Sequence, residues 1–273
     1  MSYVTTEDGC KLFVKDWGIG RPVIMTYGWP LSADSFEDLS MAIADAGMRA
    51  ISYDRRGFGR FDHPWSGYDY DTLADDLAAV MEQTLAHDAT LVGFSMGGGE
   101  VARYLSRHGG KLVKQAVLID SVVPYMFKTS DNPEGVDPSV FDAMTLAMKD
   151  DRAKFWLGFF KHFFGVGIVT SPVFSDVIEC ARSVSAQAGR EPTLACAKAF
   201  VTTDFRGDLS SFKVPTLIIH GTGEKTVPID TAGRKAAQGI PHAKLIEYDG
   251  APHCLFASHT NELLENILEF VNN

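Results

Sequence analysis

Gly93-Phe94-Ser95-Met96-Gly97 is the stretch on which the reading of this chain turns. The apolar run Thr90-Leu91-Val92 before it predicts a short buried strand, and residues 100–105 after it predict a helix. A serine between strand and helix sits on a sharp turn that pushes its hydroxyl out of the sheet. Glycines on either side give the backbone room to bend that tightly. Such a turn suits a nucleophile. The plainer alternative is a small-residue turn that opens a helix, and the five-residue pattern arises by chance often enough that its surroundings must decide.

Around this turn, strand and helix signals alternate. Residues 11–17, 23–27, 50–53 and 116–119 predict strands, with Gly18-Ile19-Gly20 turning between the first two. Residues 36–46 predict a helix that stops at Gly47, and 72–85 an amphipathic helix with Leu73, Leu77, Val80 and Met81 on one face. Alternation of this kind implies an α/β fold with a mostly parallel central sheet flanked by helices. After Ser121 the rhythm changes. Residues 141–148, 155–164, 174–185 and 193–202 predict helices, punctuated by Pro133, Pro138, Pro172 and Pro192, with no convincing strand. Strand signals return at 216–219 and 244–248, and 262–271 predicts a closing helix. The expected organisation is a core of residues 1–123 and 208–273 with a helical cap, 124–207, inserted into it.

The 273 residues suffice for one such capped domain, and 45% apolar content is ordinary for a globular core. A net charge of -10 argues against nucleic acid and against an anionic membrane surface, both of which call for a basic face. Cys10, Cys180, Cys196 and Cys254 are too scattered for a disulfide framework or a zinc site. Met1-Ser2-Tyr3-Val4 opens no basic-then-apolar leader, and the apolar region 155–169 is broken by Lys161 and His162 and too short to span a bilayer. A cytoplasmic location is expected.

A serine hydroxyl is a poor nucleophile until a base takes its proton. His253, in Gly250-Ala251-Pro252-His253 just after the last predicted strand, is the expected base, because that loop belongs at the same sheet edge as Ser95. His63, His87, His108, His162, His242 and His259 fall in predicted helices, turns or the cap and read as solvated surface groups. His220 ends a strand and reads as a shaper of the loop that follows. Two acids compete to orient His253. Glu224 follows strand 216–219 and completes the order Ser95, Glu224, His253, while Asp120 ends the strand next after the serine's own. A tetrahedral oxyanion needs two donors. The backbone N–H groups of Met96 and Trp29 are the candidates, since Pro30 has none.

These residues are recognisable together. Lys15-Asp16-Trp17-Gly18, Gly28-Trp29-Pro30-Leu31, Tyr53-Asp54-Arg55-Arg56-Gly57-Phe58-Gly59-Arg60, the serine turn through Gly99, Val101-Ala102-Arg103-Tyr104, Thr203-Asp204-Phe205-Arg206, Val214-Pro215-Thr216 and Ala251-Pro252-His253 span the chain almost end to end. The chain resembles the α/β-hydrolase family of cofactor-free haloperoxidases (perhydrolases) and bacterial aryl esterases. The resemblance implies an α/β-hydrolase fold, a Ser-acid-His triad, a helical cap over the site, no metal and no organic cofactor. It also implies hydrolysis of small esters, an option of peroxide in place of water, and self-association into trimers or larger assemblies. Three positions depart from the family pattern. Tyr27 stands where a histidine usually braces the oxyanion loop, and can still donate a hydrogen bond, but from a different position. Glu224 stands for aspartate, and Phe61 for serine after Arg60.

The expected reaction is hydrolysis of a small carboxylic ester through an acyl-enzyme on Ser95. Tyr27, Pro30, Met144, Phe159, Phe163 and Val227 are the expected substrate walls, with packing inside the cap as the alternative for the cap residues. The same site could pass its acyl group to peroxide, an alcohol or an amine, or open an amide or lactam. Haloalkane dehalogenation is disfavoured, because it needs a carboxylate where Ser95 stands. A protein of another class, binding a ligand on a hydrolase scaffold, would leave Ser95 unreactive.

Overall fold

The structure is a computed structural model that describes residues 2–60, 62–167 and 171–272. From the N-terminus come β1 (Ser2–Thr5), β2 (Lys11–Gly18), β3 (Pro22–Thr26), α1 (Glu37–Asp45), β4 (Arg49–Tyr53), α2 (Tyr70–Gln83), β5 (Ala89–Phe94), α3 (Met96–Arg107) and β6 (Val113–Ile119). Next come the helices α4 (Pro138–Asp150), α5 (Arg152–Phe163), α6 (Ser175–Gln187) and α7 (Arg190–Thr202). The chain closes with β7 (Thr216–Gly221), α8 (Gly233–Gly239), β8 (Lys244–Tyr248), α9 (Leu255–Ser258) and α10 (Thr260–Asn272).

The strands form one eight-stranded sheet in the order β1-β2-β4-β3-β5-β6-β7-β8. β2 runs antiparallel to both β1 and β4, and every pairing from β4 to β8 is parallel. Helices cover both faces of a parallel sheet, so its central strands read as unbroken apolar runs rather than alternating ones. β3, β5 and β7 are buried along their whole length, whereas the edge strand β8 is buried only at Tyr248.

β6 and β7 are neighbours in the sheet yet lie far apart in the chain, joined by the pairs Ala116–Thr216 to Ile119–Ile219. Between them the chain leaves the sheet for α4 to α7. The excursion is stitched where it leaves and returns, because Phe205 N–H donates to the Pro124 carbonyl at 2.8 Å. Trp156, Phe160 and Phe163 are the buried residues of α5. Their rings pack on one another and, through Trp29, Phe94 and His253, on the C-terminal edge of the sheet.

Three elements go beyond the sequence reading, one of them the single-turn helix α9 after His253. β1 is a four-residue edge strand, too short to show alternation, and α8 is flanked by glycine with little periodicity. Among the described residues no helix is long and apolar enough to cross a membrane.

Candidate active site

Ser95 joins β5 to α3 with φ 54° and ψ -119°, a left-handed backbone that a side chain adopts only under tight constraint. The neighbouring glycines supply the constraint. A Cβ on Gly93 would lie 2.6 Å from the Gly98 Cα, and one on Gly97 would lie 2.2 Å from the Thr26 carbonyl oxygen. The turn therefore packs against the end of β3 at a distance only glycine permits, and Thr26 Oγ1 donates to the Gly97 carbonyl at 3.0 Å.

Ser95 Oγ lies 2.9 Å from His253 Nε2. His253 Nδ1 lies against Glu224 Oε2, with both side chains buried. Glu224 Oε1 accepts the backbone N–H groups of Thr226 and, at 2.7 Å, Val227. The Glu224 carboxylate at Nδ1 favours the tautomer with the proton there, so that Nε2 presents its lone pair to the serine. Burial pushes Glu224 up. The charge of His253 and the hydrogen bond to it more than offset that, and hold Glu224 below the ordinary carboxylate range.

Asp120, the other acid considered, is set differently. Its Oδ1 accepts Gly221 N–H at 2.9 Å, and burial, then the Glu224 charge, push it well above the ordinary range. The two acids are thus pushed in opposite directions, Glu224 down by the histidine and Asp120 up by burial and by Glu224.

Gly28 and Trp29 pass directly over the serine, since a Cβ on Gly28 would lie 2.8 Å from the Ser95 Cβ. Among the described residues neither the Trp29 nor the Met96 backbone N–H has a hydrogen-bond partner. The Tyr27 hydroxyl accepts the backbone N–H of Arg55. Arg55 Nη2 in turn donates to the Tyr27 carbonyl at 2.7 Å, and its guanidinium lies 4.5 Å from the Tyr27 ring centroid. Arg55 is itself buried and paired with Glu100, which also accepts Tyr53 Oη at 2.8 Å. The loop is braced by a buried ion pair. Phe61 lies outside the described residues.

The expected walls fall into two groups. Trp29 donates its Nε1 to the Thr193 carbonyl of α7 at 2.9 Å and packs on Phe155, Trp156, Phe159 and Phe200. Phe159 stacks toward Phe163, whose ring centroid lies 4.8 Å from that of His253. Pro30 is buried in the same loop. Val227 is buried and meets the site through its backbone, its N–H donating to Glu224 Oε1 and its carbonyl accepting from His220 Nε2. Met144 lines a groove of about 860 Å³ with Phe141 and Leu194, whose lining includes none of Ser95, Trp29 or His253. Phe94 and Arg55 were missed as functional positions. Phe94 faces the His253 ring at 4.9 Å, and its place beside the serine was the available signal. For Arg55 the signal was a pair of arginines directly after a buried strand.

His220 fixes the loop that carries Glu224 by donating Nε2–H to the Val227 carbonyl at 2.8 Å. Burial holds its imidazole down at about 4, against 6.5 ordinarily. Between those two values the unfolded chain binds more protons than the folded one. The contribution is therefore present above pH 6.5 and lost as pH falls through about 4. It amounts to about 3 kcal/mol. Urea unfolding at pH 7 and pH 4.5 measures it, and the drop in stability should be clearly smaller in His220→Gln.

The fold and this turn-centred site define an α/β-hydrolase. A family model for the alpha/beta hydrolase fold matches residues 21–165. The chain is 41% identical over its full length, and the relative's full length, to a non-heme chloroperoxidase of Kitasatospora aureofaciens. It is 38% identical over 99% of both chains to a bifunctional esterase/perhydrolase of Acinetobacter calcoaceticus. Its structure superposes on that of a bromoperoxidase from Bacillus anthracis with a TM-score of 0.95, at 40% identity and full coverage of both chains. The chain belongs to the α/β-hydrolase family, in the group that holds these non-heme haloperoxidases and esterases.

Proposed function

We propose that this enzyme hydrolyses small carboxylic esters by two-step acyl transfer on Ser95. The observation that carries the reading is the 2.9 Å contact between Ser95 Oγ and His253 Nε2, with Glu224 on the far side of the ring. Ser95 Oγ attacks the ester carbonyl carbon while His253 Nε2 takes its proton. Glu224 stabilises the imidazolium and keeps its own charge. The N–H groups of Trp29 and Met96 receive the oxyanion. His253 then returns the proton to the departing alcohol, and water, activated by the same nitrogen, releases the acid.

Ser95 is only 6% exposed, and the ring of Phe163, which packs on Phe159 and through it on Trp29, lies 4.8 Å from that of His253; this supports a small apolar acyl group over a charged or sugar-like one. Perhydrolysis is the second reading, favoured by the relatives, one named a chloroperoxidase and another a bifunctional esterase/perhydrolase. It keeps the acyl-enzyme and changes only the acceptor. A panel of 4-nitrophenyl esters of rising acyl length, assayed with and without hydrogen peroxide, tests both. Short acyl esters should turn over best, with peracid formed when peroxide competes with water for the same intermediate. Failure to cleave any ester of the panel would contradict the proposal.

A further inference from the structure

Asp120 is the buried carboxyl that the proposed reaction leaves without a task. It ends β6 with φ 42° and no exposed surface. Its Oδ1 is tied to the end of β7 through Gly221 N–H, while its Oδ2 is buried and has no hydrogen-bond partner among the described residues. An open oxygen in such a place costs free energy that a mere loop cap would avoid by turning to water. One carboxylate oxygen from each acid and one ring nitrogen of His253 lie within 4.8 Å of one another.

The groups facing Asp120 offer it no counter-charge of its own. His220 Nε2 is 3.8 Å from Oδ1 but is committed to the Val227 carbonyl, and burial keeps that ring neutral. Cys254 is a buried thiol, pushed well up by burial and then by Asp120. Glu224 is a second acid, and His253 is already its partner. Two carboxyls this close in a dry site do not both ionise. The proton belongs on Asp120, the more perturbed of the two.

We propose that Asp120 is a positioning residue for the same reaction, a second carboxyl that shares one proton with Glu224 and can take over the support of His253. The inference rests on the reading of Ser95, His253 and Glu224 given above. In the resting enzyme Asp120 holds the proton and Glu224 the charge. With no charge at position 224 that repulsion is gone, while burial still holds the carboxyl up, so Asp120 gives up its proton only as pH rises. A side-chain shift of about 2 Å then brings its carboxylate within hydrogen-bond range of the imidazole.

Kinetics of Asp120→Asn, Glu224→Gln and the double variant test this. Both amides keep an oxygen for the backbone N–H groups their carboxylates accept now. A triad stripped of its acid loses about 10,000-fold. With Asp120 in reserve, Glu224→Gln should lose only about 100-fold in kcat/KM. Its remaining rate should climb with pH along a limb that the wild type lacks, as Asp120 ionises. Adding Asp120→Asn should remove that limb and about another 100-fold, whereas Asp120→Asn alone should cost less than about tenfold. Circular dichroism checks that each variant folds, and if the double variant does not, the pH limb of Glu224→Gln alone decides. Equal rates in Glu224→Gln and the double variant, without the limb, would overturn the proposal and leave Glu224 as the acid. A fully active Glu224→Gln beside a crippled Asp120→Asn would overturn both this proposal and the assignment of Glu224.

Discussion

Replacing Ser95 with alanine is expected to lower kcat/KM for 4-nitrophenyl acetate by about a millionfold. The whole expectation hangs on one oxygen. Ser95 Oγ is the atom that meets His253 Nε2 at 2.9 Å, and no other hydroxyl is recorded against that nitrogen among the described residues. Alanine removes the proposed nucleophile and leaves His253, Glu224 and the Trp29 and Met96 N–H groups in place. What remains should be the weak catalysis of an oxyanion site and a bound water. The fold should survive, because alanine and serine meet the same backbone constraint at φ 54° and the side chain contributes one hydrogen bond. Comparing stopped assays of the variant with its thermal unfolding separates loss of chemistry from loss of structure. A variant that folds and still cleaves the ester at the wild-type rate would remove Ser95 from the reaction.

Gly97→Ala should act in the opposite way, on the fold first. Its new Cβ would stand 2.2 Å from the Thr26 carbonyl oxygen and 2.6 Å from the Thr26 carbonyl carbon. Both are backbone atoms of a fully buried strand, so no flexible side chain can give way. Either β3 or the serine turn must move, and packed interiors resist that. The cost should be about 3–5 kcal/mol, a large part of the roughly 5–15 kcal/mol that holds a domain folded. Urea denaturation reads it directly. Any protein that does fold should be slow, because a displaced turn separates Ser95 Oγ from His253. By contrast Gly47→Ala, where nothing lies within 4 Å, should show none of the steric cost and only the strain of its φ of 81°.

Much of this was legible in the chain because the deciding signals are local. The serine turn declares itself through glycine spacing between an apolar strand and a helix. The strands of the sheet interior announce themselves as unbroken apolar runs, and the loss of strand signal after Ser121 marks the excursion between β6 and β7. What stayed hidden is set by contacts distant in sequence. Nothing near residue 27 says that its hydroxyl will accept from Arg55, because that bond depends on how β3 and β4 lie side by side. The choice between Glu224 and Asp120 is likewise not local. Both follow strands at the same sheet edge, and only the packing of β6, β7 and the 253 loop shows Glu224 on the imidazole and Asp120 nearby. Met144 falls on a helical stripe that suits a pocket wall, yet periodicity cannot say which face of α4 turns toward which cavity.

The central claim is that Ser95 carries the acyl group. Treatment with a fluorophosphonate, followed by peptide mass spectrometry, tests it most directly, since that reagent phosphonylates an activated serine and is retained. The expected result is a single adduct on the peptide holding Ser95, formed in step with loss of esterase activity and absent from Ser95→Ala. An enzyme that hydrolyses esters while Ser95 stays unmodified, or that is silenced by label on a different residue, would contradict the account.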